Sequence, residues 1–171
     1  MYNSKKYWNE RKDPNKYNHI MGYEKKAIIP FVKGSKTVFD FGCGIGRTLP
    51  LYKDKHVTGL DFSSMYKDRF KGNEHIVHDV HENPLPFNDN YFDCGVLIKV
   101  TLHANDKEVK NILAEVGRVC KKVLVITYDG TREGLAPHVF CHDYKTILTD
   151  LGFDIVSAKH VEDNQIVIEY R

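Results

Sequence analysis

"VFDFGCGIGRTLP", residues 38–50, places Gly42, Gly44 and Gly46 within five positions, directly after an apolar run and before a segment that could be helical. An apolar strand that runs into a glycine-rich turn and then a helix is the opening unit of a parallel α/β sheet. Glycine lets the chain turn sharply there, and lets a ligand approach the main chain more closely than a Cβ would allow. In open sheets of this kind ligands sit beyond the carboxyl ends of the strands, where strand order reverses, and that point is normally the end of the first strand. The stretch thus predicts an architecture and the place of a site together.

The same rhythm continues outward from this loop. "KTVFDFG" (36–42) reads as the first strand, with a helix from about Gly46 to Lys53. "HVTGLDFS" (56–63) gives a second strand and "MYKDRFKG" (65–72) a short helix; "HIVHDV" (75–80) is a third strand, closed by the turn formers of "NPLPFNDN" (83–90). "YFDCGVLI" (91–98) is nearly all apolar, as a strand buried on both faces should be. Asp106 is placed to cap the next helix, in which Val109, Ile112, Leu113, Val116 and Val119 recur at helical spacing. "KKVLVITYDG" (121–130) is the fifth strand, and a helix around Asp143 to Leu151 stops at Gly152. "FDIVSAKHV" (153–161) and "QIVIEY" (165–170) are joined only by "EDN", too short for a crossover helix, so they form an antiparallel hairpin. The expected fold is α/β: a Rossmann-like, doubly wound, seven-stranded sheet, mostly parallel, ending in that hairpin.

Composition bounds what such a domain does. A chain of 171 residues, 42% hydrophobic, buries one core, and a formal charge of +2 supplies no global attraction to nucleic acid or membrane. Residues 1–36 nevertheless hold nine Lys/Arg against three Asp/Glu, which reads first as a solvated helix and second as a nucleic-acid-binding arm. The four cysteines form no CxxC pair, the N-terminus does not read as a signal peptide, and no apolar run approaches the roughly 20 residues of a membrane helix. A cytoplasmic protein with reduced thiols and no membrane partner is expected. Residues 1–35 form an arm and helix of the same domain, broken at Asp13-Pro14 with a second helix from near Tyr17, and residues 36–171 carry the sheet.

The residues around the glycines narrow the ligand. A nicotinamide-binding fingerprint, G-x-G-x-x-G, counted from Gly42 requires glycine at 47, where this chain has Arg47. Asp61 ends the second strand 19 residues after Gly42, where a carboxylate can accept from both ribose hydroxyls. Asp79 ends the third strand, where it can accept from an adenine amino group, and Phe62 offers a purine an apolar face. These residues describe an adenosyl pocket.

With "VFDFGCGIG", "VTGLDFS", "HDVHENPLPFNDNYFDCGVLI" and "EVGRVCKKVLVITY" read together, residues 36–170 resemble the class I S-adenosylmethionine-dependent methyltransferases. That resemblance implies S-adenosylmethionine as cofactor and S-adenosylhomocysteine as product. It also implies roles: Asp40 and the backbone of Gly42, Cys43, Gly44 and Gly46 at the methionine end, Asp61 on the ribose, Asp79 with the Val80 amide on the adenine, and Phe62 along the ring. Ile98 and Lys99 would meet the cofactor's amino group, and Tyr7 and Trp8 belong either to a lid whose aromatic faces suit a sulfonium or to an ordinary helix that its aromatics anchor on the sheet. In "HENPLPF" most of the helix that usually follows the third strand is missing.

Methyl transfer is an in-line displacement, so the protein aligns a nucleophile, excludes water and, for a protonated acceptor, supplies a base within about 3 Å. Lys99, Thr101, His103, Tyr128, Asp129, His138 and His142 all fall at the carboxyl edge of the sheet; His103 is the first candidate for catalysis, with His138 and His142 next. His75, His78 and His81 do not suggest a metal, because strand residues three apart point to opposite faces. The signatures of DNA-base methylation, an N/D-P-P-Y/F run or a Pro-Cys nucleophile after the fourth strand, are missing from "LIKVTLH" (97–103). A small-molecule acceptor is the first expectation and an RNA or protein acceptor the second. A cofactor-binding subunit that activates a partner methyltransferase is the third, and a nicotinamide dehydrogenase the contrasting class.

Overall fold

The computed structural model describes residues 4–10, 19–70, 74–80, 84–129, 136, 138–162 and 164–171. Its seven strands lie where the β-branched and aromatic runs fall: β1 (Thr37–Phe41), β2 (His56–Asp61), β3 (Glu74–Val77), β4 (Cys94–Ile98), β5 (Val123–Tyr128), β6 (Ile155–Val161) and β7 (Gln165–Tyr170). They form one sheet in the order β3-β2-β1-β4-β5-β7-β6. The first five are parallel, while β7 runs antiparallel to both β5 and β6, as the three-residue link dictates. Strand order reverses between β1 and β4.

Both faces of the central strands are covered, and alternation along each strand divides the core in two. Phe39, Leu97, Val123 and Val125 pack with helix α3 (Asp106–Val119) and helix α4 (Tyr144–Asp150) on one face. Val38, Val96, Leu124 and Ile126 pack with helix α2 (Gly22–Phe31) on the other. Burying each such side chain stabilises the fold by roughly 1.5–3 kcal/mol. A further short helix, α1 (Ser4–Asn9), precedes α2.

Several expectations are corrected here. No α-helix follows β1: the segment runs through turns with a single 3-10 turn at Leu49–Leu51, because Pro50 lacks an N–H and restricts the residue before it. The helix after β2 is likewise 3-10, Ser64–Arg69. Asp106 is not the cap of α3; Asn105 is, its Oδ1 accepting from the amides of Lys107 (3.0 Å) and Glu108 (3.1 Å). The second helix of the arm begins at Gly22, and Tyr17, Asp13-Pro14 and His81 lie outside the described residues. Before β4, residues 84–90 are held by Arg118, whose guanidinium donates to the Phe87 and Leu85 carbonyls (2.8 and 3.0 Å) and pairs with Glu115 and Asp89. No helix among the described residues is long and apolar enough to cross a membrane.

Candidate functional site

The glycine loop turns at the reversal of strand order. Both the Gly42 and Cys43 amides donate to the Leu60 carbonyl, at 2.7 and 3.0 Å, which bends the chain at once after β1. Gly42 and Gly44 have φ of 71° and 51°, a region L side chains rarely adopt. A Cβ on Gly42 would lie 2.4 Å from Val100 Cγ2, whereas one on Gly44 would meet nothing within 4 Å and would project into open space. That space is a cavity of about 400 Å³, the size of a small-molecule site.

Its walls follow the order of the strands. Asp61, Phe62, Asp79 and Val80 line it at the ends of β2 and β3, Gly42, Cys43 and Gly44 at the end of β1, and Ile98 and Lys99 at the end of β4; Trp8, His103 and His138 complete the wall toward β5. Asp61 Oδ2 accepts from the Gly44 amide (3.0 Å) and Oδ1 from the Ser63 amide (2.9 Å). Burial pushes its carboxyl up to about 6, against the pull of those two amides. Burial also pushes the Cys43 thiol far up, with Asp40 and Asp61 adding to the effect.

Four expected site residues lie elsewhere. Asp40 sits beneath the loop: alternation along β1 turns it toward α2, where Thr48 Oγ1 donates to it at 2.7 Å, and burial raises its carboxyl to about 6. Gly46 serves packing, since a Cβ there would be 2.7 Å from Leu49 Cδ1. Tyr7 is off the cavity wall and stacks on His138, ring centres 4.6 Å apart. His142 is buried, its Nε2 at 2.9 Å from the Ala104 carbonyl and its Nδ1 at 3.1 Å from the Asp106 carboxylate. It fastens segments together and does not face the cavity. Of the other polar candidates, Thr101 belongs to a buried hydroxyl trio with Thr127 and Tyr144, and Asp129 is bound to His160.

His103 is on the wall and is oriented. Its Nδ1 lies 3.0 Å from the His138 carbonyl oxygen. A carbonyl only accepts, so Nδ1 carries the proton and the lone pair of the neutral ring is at Nε2. The Phe140 amide donates to the Leu102 carbonyl at 2.8 Å, and together with His142 these contacts zip residues 138–142 to the turn after β4.

One feature has no signal in the spacing of the sequence. Glu24 of α2 is 0% exposed and takes two hydrogen bonds from the Arg47 guanidinium (2.7 and 2.9 Å), one from the Met21 amide (2.9 Å), and has Lys99 Nζ at 3.8 Å. Burial alone would raise its carboxyl; Arg47, Met21 and Lys99 outweigh it and hold the group below its ordinary value. Lys99 adopts φ of 57°, a left-handed conformation costing a non-glycine residue about 1–2 kcal/mol, at the point where the chain leaves β4 for the cavity. Arg47 and Lys99 both line the cavity, and against Glu24 they leave one positive charge on that wall.

Residues 39–126, just over half of the chain, match the family described as "Methyltransferase domain". An uncharacterized protein of Methanocaldococcus jannaschii is 27% identical over 176 residues, spanning 93% of this chain and 75% of that one. Among solved structures, a SAM dependent methyltransferase from Aquifex aeolicus is similar at a TM-score of 0.69 and 19% identity, with 99% of this chain and 98% of that chain covered. The magnesium protoporphyrin IX methyltransferase of Synechocystis PCC 6803, solved with bound SAM, is similar at a TM-score of 0.71 and 15% identity, covering 99% of this chain and 97% of that one.

Proposed function

The chain belongs to the methyltransferase domain family, and from that premise we propose that it transfers a methyl group from S-adenosylmethionine to an O or N atom of a small-molecule acceptor. The observation that carries this is a single cavity with carboxylates at one end and an oriented imidazole at the other, with the bare Gly44 backbone between them. The cofactor supplies a methyl group on a cationic sulfur, already activated for displacement. Asp61, once ionised, accepts from ribose hydroxyls, Asp79 and the Val80 amide meet the adenine edge, and Phe62 covers its face. The surplus positive charge of Arg47 and Lys99 suits the methionine carboxylate.

Alignment and exclusion of water are what the remaining wall supplies. Trp8 stands edge to face with His103, ring centres 4.8 Å apart, so α1 lies against the acceptor end and encloses it. An enclosed end suits a small acceptor better than a polymer.

Thermal unfolding tests the reading. S-adenosylhomocysteine at 100 times its Kd should add about 2.7 kcal/mol of stability, a rise of roughly 5–10 °C for a chain of this length, and NAD should add nothing. A rise with NAD and none with S-adenosylhomocysteine would instead make the protein a nicotinamide enzyme.

A further inference from the structure

We infer that the acceptor is a flat aromatic ring bearing a hydroxyl, a phenol, stacked on the wall of Trp8, His103 and His138 and deprotonated at His103 Nε2. This rests on the methyl-transfer reading above and names the acceptor class for that site.

The shape of the wall is the first observation. Trp8 and His103 meet at 4.8 Å and 68°, His103 and His138 lie nearly parallel at 5.5 Å and 27°, and Tyr7 backs His138 at 4.6 Å and 26°. Leu102 and Val139 extend the same wall with apolar surface. A raft of rings held in place by one another offers flat faces and edges, to which a planar guest stacks at little cost in side-chain entropy. Of the acids among the described residues that line the cavity, Asp61 and Asp79 stand at the far strands, and Glu108 accepts from the Asn105 amide (2.8 Å).

The oriented imidazole is the second observation, and magnitudes decide which acceptor it serves. A histidine titrates near 6.5 and a phenolic hydroxyl, like that of tyrosine, near 10, a gap of about four powers of ten. An aliphatic hydroxyl, close to water at about 15.7, lies about nine powers away. A base assists best when the two are near each other, so imidazole activates a phenol and does little for an alcohol. An amine attacks through a lone pair and needs no base beside it. In the step itself the hydroxyl proton passes to His103 Nε2 and the oxygen forms a bond to the methyl carbon. The carbon–sulfur bond breaks with its electron pair left on sulfur, giving the aryl methyl ether and S-adenosylhomocysteine, and the imidazolium returns its proton to water.

Calorimetry and product formation on the full chain test this. S-adenosylhomocysteine is titrated first, then 4-methylphenol and 2-naphthol into the saturated protein, with benzyl alcohol and aniline as comparators. Heat and transfer of labelled methyl are expected for the phenols alone. His103→Gln should keep the heat with S-adenosylhomocysteine yet lose about 100-fold in kcat/KM with 4-methylphenol. Its loss with 4-nitrophenol, already largely ionised at about pH 8, should be tenfold or less, because an anion needs no base. Normal S-adenosylhomocysteine binding with no phenol bound or methylated, preference for aniline, or equal losses for the two phenols would each overturn the assignment. Absence of S-adenosylhomocysteine binding would overturn the methyl-transfer reading itself.

Discussion

Asp61 and Asp40, on adjacent strands, are both carboxyls raised to about 6 by burial, and they differ in what they face. Asp61 reaches the cavity, while Asp40, 3% exposed, lies off the cavity wall and accepts from the Thr48 hydroxyl. Each ionises near 6 in the folded chain against 3.8 for the free group, so the folded state holds its protons more tightly. Stability is therefore full below about pH 4 and is lost as pH rises through about 6, on the order of 3 kcal/mol for Asp40. Asp40→Asn, neutral throughout, should flatten that decline, which urea midpoints between about pH 4.5 and 7.5 will measure. Position along the chain drew attention to both carboxyls, since each stands close to the glycines. It could not separate them, because alternation along β1 decides which face Asp40 meets, and that depends on where α2 packs. His142 escaped for the same kind of reason: its partners, Ala104 and Asp106, lie more than thirty residues away.

Among elements, the strands were legible and the connections less so. A strand covered on both faces must be apolar along its whole length, so "GVLI" and "VLVITY" announce themselves; a short connecting turn is decided by single residues such as Pro50 or Asn105. The link between α2 and the glycine loop was illegible, because Glu24 and Arg47 meet across 23 positions with no shared periodicity. That link couples the helix to the site. Glu24→Gln leaves Arg47 without its counter-ion and should destabilise the protein by about 3 kcal/mol, read as a lower urea midpoint at unchanged m-value. It should also weaken S-adenosylhomocysteine binding, since Arg47 and Lys99 are no longer held in place.

At the scale of the molecule, the rhythm of strands and helices placed the reversal point and with it the glycine-loop wall of the cavity. The ring wall was less legible, since it depends on how α1 comes back over the sheet; aromatic residues near the start of the chain marked the helix without fixing its seat. Stability should be graded along the same lines. Amides of β4, paired on both sides and buried at Val96 and Leu97, should exchange with deuterium only on global unfolding, and those of α1, six residues held through its rings, should exchange first. One feature of that helix reaches further. Trp8 is the chain's single indole and lines the cavity, so the fluorescence of the whole protein is, in effect, a view through one window. A change in its colour or brightness on mixing would report occupancy there, and a compound library could be sorted by emission alone before any product is known.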